Sequence, residues 1–172
     1  MFNKLKADAY YPSVADIPVH LYRELDYELI VFDFDNTLSE HGASKASEYT
    51  LSMINRWREA GFEVYVISNA KLGRSEKIAE MLPVEFIGDA RKPGTSAFEK
   101  IFEYSDVEKS EMLFCGDQIF TDVWAAKNFG IDAIVVDRLT SAEPYYVKLK
   151  RILEKVVKFF NRTWKHYDNL LN

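Results

Sequence analysis

The stretch VFDFDNTLSEHG, residues 31–42, places Asp33 and Asp35 two residues apart, directly after the apolar run Leu29–Phe32. Carboxylates are costly next to a buried strand, because burial disfavours their charged form. In an extended chain, residues i and i+2 point the same way. Both acids therefore belong at the rim of a core, facing one point where the strand ends.

Outward from this stretch the chain alternates in character. Leu29–Phe34, Phe62–Ile67, Val84–Ile87, Met112–Cys115 and Ala133–Val136 are short apolar runs rich in β-formers. Between them lie segments with helical spacing: Ala46–Ala60 stopped by Gly61, Gly73–Leu82 ended by Pro83, Pro93–Tyr104 with proline in its first turn, and Ile119–Phe129 closed by Gly130. Strands alternating with helices predict right-handed crossovers and a parallel sheet. The runs are continuously apolar, as strands buried on both faces require. The expected architecture is an α/β three-layer sandwich around a central parallel five-stranded sheet. Residues 1–28, broken by Pro12 and Pro18, read as a lead-in with a short helix. Residues 29–142 read as the core, and residues 143–172 as a C-terminal helix.

The chain has 172 residues, of which 48% are hydrophobic, enough for one domain with a packed core. Its net charge of −5 argues against nucleic acid as a partner. The lone cysteine, Cys115, lies inside an apolar run; it excludes an internal disulfide framework and points to a reducing, cytoplasmic setting. The three dispersed histidines, His20, His41 and His166, give no zinc-ligand spacing. No run approaches the ~18 apolar residues a spanning helix needs.

Ligands of open α/β sheets bind at the carboxyl ends of the strands. There the chain places Asp33, Asp35 and Thr37, then Ser68 and Asn69, then Lys92, and finally Asp117 with Asp122 one turn later. That inventory of carboxylates, hydroxyls and one ammonium suits phosphoryl transfer. A carboxylate can attack phosphorus, magnesium prefers oxygen ligands, and a lysine can hold developing charge. Each residue has a plainer reading as well: Ser68 as a helix cap, Asp122 as support for a helix dipole, Lys92 as a surface cation.

DFDNT, the SN of VISNA, the KP of ARKP and GDQIFTD together resemble the four ordered motifs of the haloacid dehalogenase (HAD) superfamily of phosphatases, a Rossmannoid fold. With the lead-in YYPSVADI, the match is most similar to the type IIIA phosphatases of the YqeG kind, a branch that includes phosphatidylglycerophosphate phosphatases. The resemblance runs to about Asp137. It implies Asp33 as nucleophile, Asp35 as general acid/base and Lys92 as stabiliser of the phosphorylated state. It further implies Thr37, Ser68 and Asn69 at the phosphate, and magnesium held by Asp33, Asp117 and the Asp35 carbonyl, with Asp122 behind them.

Neither the interval from Thr37 to Ser68 nor that from Asn69 to Lys92 has room for an inserted cap domain. An open site suits a large substrate that closes it, such as a phospholipid headgroup, or a neighbouring copy in an oligomer acting as lid. Three readings follow: a phosphatase of phosphatidylglycerophosphate, a phosphatase of a soluble metabolite or phosphoprotein, or a binding protein with residual phosphatase activity. From Tyr145 onward seven Lys/Arg stand against two acids, so this tail is +5 and the remainder −10. Leu149, Ile152, Leu153, Val156, Phe160, Trp164, Tyr167 and Leu171 recur at three- and four-residue spacing, with Lys150, Arg151, Lys155, Lys158, Arg162 and Lys165 between them. Such a helix either covers the core or a partner, or lies peripherally on the anionic inner face of a membrane.

Overall fold

A computed structural model of the chain describes residues 2–141, 145–160 and 167–171. The strands are β1 (Ala9–Tyr11), β2 (Leu29–Asp33), β3 (Glu63–Ile67), β4 (Glu85–Ile87), β5 (Met112–Gly116), β6 (Asp132–Val136) and β7 (Tyr167–Asp168). The helices are α1 (Val19–Glu24), α2 (Glu48–Glu59), α3 (Leu72–Ala79), α4 (Ser96–Tyr104), α5 (Trp124–Phe129) and α6 (Tyr145–Phe160). The sheet order is β4-β3-β2-β5-β6-β1-β7, with β1 to β6 parallel and β7 antiparallel to β1.

The α/β sandwich expected from the sequence is present, and its five strands gain two at one edge. β1 comes from the lead-in, where Ala9 and Tyr10 are buried against β6 and Asp8 exchanges hydrogen bonds with Ala133. β7 is held by the Asp168 carboxylate, which accepts from the hydroxyls of Tyr11 and Tyr22 and from the amides of Leu170 (2.8 Å) and Leu171 (3.1 Å).

Alternation along β2 divides the core. Leu29 and Val31 face one layer with Phe98, Phe114 and Phe129, while Ile30 and Phe32 face the other with Tyr22, Ile54 and Trp57. Helices α4 and α5 cover the first face and α1, α2 and α3 the second. Trp57 is fully buried and meets Phe32, Phe62 and Tyr22 at centroid distances of 5.6, 4.7 and 6.3 Å.

The chain leaves β2 for β3 and β4 on one side, then crosses to β5 on the other. The resulting crevice lies between β2 and β5, at the end of the sheet where Asp33 and Gly116 stand. The loop after β2 is tied down by α2: Ser47 caps the helix by accepting from the Thr50 amide, and Thr50 donates to the Leu38 carbonyl at 2.8 Å.

The C-terminal region differs from the expected single helix. α6 ends at Phe160, and Tyr167 stands in β7, so it does not share the α6 stripe. Trp164, Arg162 and Lys165 lie outside the described residues. Within α6, Val147, Glu154 and Val157 are buried, whereas Leu149, Ile152, Leu153 and Val156 are between 51% and 61% exposed. These four side chains thus face away from the body. Among the described residues no helix is long and apolar enough to cross a membrane.

Trp57→Ala removes the central contact of the second face. It is expected to lower stability by about 3–5 kcal/mol, read from the urea midpoint.

Candidate active site

The strand ends assemble the predicted residues around one buried ammonium. Lys92 Nζ pairs with Asp33 Oδ1 and sits 2.7 Å from Asp122 Oδ1. All three side chains are almost wholly buried, as is Asp117. The Lys92 stem passes the face of Phe114, its nitrogen 5.3 Å from the ring centroid. Thr37 Oγ1 donates to Asp33 Oδ2 at 3.3 Å.

Lys92 is brought there by its backbone. The loop after β4 is zipped to the loop after β3, with Asp89 N–H on the Ala70 carbonyl (2.8 Å) and Ala90 N–H on that of Ser68 (3.0 Å). Asn69 completes the zip: its Oδ1 accepts from the Lys92 amide at 2.8 Å and its Nδ2 donates to the Lys92 carbonyl at 3.2 Å. Asn69, expected at the phosphate, is therefore occupied in holding Lys92.

Across the crevice, Asp122 Oδ2 accepts from the amides of Asp117 (3.2 Å) and Gln118 (2.9 Å). Gly116 makes this approach possible, since a Cβ there would lie 2.6 Å from the Asp122 side chain. The π-helical turn Ile119–Val123 then carries the chain into α5.

Carboxylate oxygens of Asp33, Asp117 and Asp122 all lie within 4.8 Å of one another. Three buried carboxylates against one ammonium leave an excess of negative charge. Burial, the largest influence, pushes the Asp33 carboxyl well above its usual range. The Lys92 ammonium pulls it back, and Asp122, Asp117 and Asp35 add to the rise. Burial also disfavours the Lys92 ammonium, but Asp122 and Asp33 outweigh it and hold its pKa above the ordinary lysine value. An all-oxygen, anionic donor set of this kind fits a hard divalent cation. Asp122, expected behind the metal, lies in the cluster beside Asp33 and Asp117.

Asp35 faces elsewhere. Its Oδ1 accepts from the Gly42 amide (2.8 Å) and from Arg74 Nη1 (2.7 Å), and its Oδ2 from Ser68 Oγ (2.9 Å) and Arg74 Nη2. Burial would raise its pKa, but Arg74, the Gly42 amide and Ser68 together hold it below the usual carboxylate range. Ser68 Oγ also accepts from the Ala70 amide at 3.0 Å, so it both orders its loop and touches Asp35.

Asp33, Asp35, Asn69, Lys92 and Asp122 line a cavity of about 320 Å³, whose rim includes His41, Arg74 and Val147 of α6. α6 is anchored there by Glu154, whose Oε1 accepts from the amides of Ile119 (2.8 Å) and Phe120 (3.4 Å). Sequence reasoning missed Arg74 and Glu154, though both left a trace. Arg74 stands in the first turn of α3, where the helix dipole disfavours a cation. Glu154 is the one acid in the sixteen residues of α6.

Comparison with known proteins fits this geometry. Residues 89–145 match a family model described as HAD-hydrolase-like, an interval that contains Lys92, Asp117 and Asp122. Over 148 residues the chain is 27% identical to the probable phosphatase YqeG of Bacillus subtilis (strain 168), covering 86% of both chains. Two solved structures share the fold: an uncharacterized protein from Listeria monocytogenes serotype 4b (TM-score 0.54, 14% identity, 75% of this chain and 99% of that one) and a hypothetical protein from Xanthomonas campestris (TM-score 0.53, 16% identity, 90% and 94%).

Glu154→Ala takes from the buried Ile119 amide its side-chain acceptor. A loss of about 1–3 kcal/mol is expected in denaturant melts, together with faster proteolysis within 145–160.

Proposed function

This chain is a YqeG-like phosphatase of the HAD superfamily, and from that premise we propose that it is a magnesium-dependent phosphomonoesterase working through an aspartyl-phosphate on Asp33. The observation that carries the reading is the buried convergence of Asp33, Lys92, Asp117 and Asp122 at the sheet's switch point.

In the first step an Asp33 oxygen attacks phosphorus and the bond to the leaving oxygen breaks, while Asp35 gives that oxygen a proton. In the second step Asp35 takes a proton from water, the water oxygen bonds to phosphorus, and Asp33 is released with inorganic phosphate. Lys92 balances charge on Asp33 and on the transferring group. Ser68 donates to Asp35 and Thr37 to Asp33, so both act by orienting the reacting carboxylates, and Asn69 acts by keeping Lys92 in place. Asp33, Asp117 and the Asp35 carbonyl would hold magnesium, with Asp122 fixing the loop beside them. The ion would neutralise the carboxylates and polarise the phosphoryl oxygens.

The substrate proposed is a phospholipid monoester, phosphatidylglycerophosphate foremost, met at an anionic membrane surface. What supports it is α6, whose exposed Leu149, Ile152, Leu153 and Val156 stand on an element that borders the cavity through Val147. The +5 tail complements anionic lipid.

Asp33→Asn is expected to keep the fold and lose turnover by several orders of magnitude in a phosphatase assay; near-normal activity would overturn the assignment. EDTA should abolish turnover of phosphatidylglycerophosphate in mixed micelles and magnesium should restore it, with calcium a poor substitute. On anionic vesicles the full chain should co-sediment and be released by added salt. Equal binding to neutral vesicles would contradict the membrane reading.

A further inference from the structure

We propose that Arg74 forms an anion subsite on the leaving-group side of the cavity, selecting phosphomonoesters whose alcohol carries a second negative charge, a carboxylate or a phosphodiester. The inference rests on the phosphatase reading above and names the residue that would read the substrate.

The cavity, at about 320 Å³, is larger than a lone phosphate needs. Of the Lys and Arg side chains lining it, Lys92 is wedged between Asp33 and Asp122 at the floor, with 2% of its side chain exposed. Arg74 stands at the rim with 24% exposed, so its guanidinium is within a ligand's reach. A guanidinium presents a planar fork matched to carboxylate and phosphate. Arg74 already demonstrates that grip, since it holds Asp35 through both terminal nitrogens.

The position of the fork fixes which part of a substrate it would meet. Asp35 is the proposed proton donor to the leaving oxygen. Arg74, bonded to Asp35, therefore lies beside the alcohol and away from the phosphoryl oxygens. A second anion on that alcohol would replace Asp35 on the fork. Asp35 would not be stranded, because the Gly42 amide and Ser68 hydroxyl remain on it at 2.8 and 2.9 Å. The same exchange would take the guanidinium's charge off Asp35 and leave its carboxyl readier to carry a proton. His41 borders the same cavity, and its Nδ1 is buried with no hydrogen-bond partner among the described residues, a second polar atom available to a ligand. A cation in the first turn of α3 opposes the helix dipole, so its place there is accounted for by the anion it holds.

The test is calorimetric binding to the magnesium-loaded full chain carrying Asp33→Asn, which separates recognition from turnover. The probes are ethyl phosphate, 3-phosphoglycerate and glycerophosphoglycerol phosphate, offering a neutral alcohol, a carboxylate and a phosphodiester. With Arg74 present, at least one anion-bearing probe should bind roughly 10- to 100-fold more tightly than ethyl phosphate. The tighter of the two names the source of the charge. Arg74→Gln should collapse that preference toward unity, and Arg74→Lys, which keeps the charge without the fork, should retain part of it. Absence of the preference with Arg74 present, or its survival in Arg74→Gln, would overturn the proposal and leave Arg74 as a brace for Asp35. Arg74-dependent binding by a wild-type chain that turns over no phosphoester would contradict the catalytic reading alone.

Discussion

One ammonium organises this end of the molecule. Lys92 lies buried between Asp33 and Asp122, and each carboxylate is tolerable there because the lysine faces it. Removing one partner from such a group leaves an uncompensated buried charge, a loss of about 3–5 kcal/mol. The surrounding design serves this placement. Asn69 grips the Lys92 backbone from both sides, the Asp122 carboxylate is fixed by two amides, and Gly116 leaves room for it. The sheet supplies the frame, because β2 and β5 are neighbours in register and end their strands on opposite walls of one crevice.

The two acids of the opening motif have been given different surroundings. Asp33 faces the lysine and the other carboxylates in a buried cluster, where burial and like charge favour its protonated form until a cation compensates. Asp35 faces a guanidinium, an amide and a hydroxyl that favour its ionised form. Side chains two residues apart thus meet opposite electrostatics: Asp33 needs a cation before it can attack, and Asp35 is held ready as the base that takes the proton from water in the second step. Among the described residues no inserted domain covers the cavity. Its rim is instead closed in part by α6, which reaches it through Val147 and is secured by Glu154.

The α/β alternation and the strand-end motifs were legible in the sequence because they are local. Apolar runs mark buried strands, and the acids follow them directly. β1 was not legible, since three residues, Ala9–Tyr11, ahead of Pro12 carry too little periodicity to mark an edge strand. Arg74 and Glu154 were missed because their partners lie 39 and 35 residues away, and only the folded chain brings them together. The stripe of α6 was legible as a stripe, but its direction was not. Spacing shows which residues share a helix face; Glu154 decides which face turns inward.

The claim at the centre of this account is that phosphorus passes through a bond to Asp33. Borohydride quenching of the magnesium-loaded enzyme during turnover, followed by peptide mass spectrometry, reads that bond, because reduction converts an acyl phosphate of aspartate to homoserine. The account predicts homoserine at position 33 and nowhere else, dependent on substrate. Sustained turnover with Asp33 unmodified, or with the label on another residue, would contradict it.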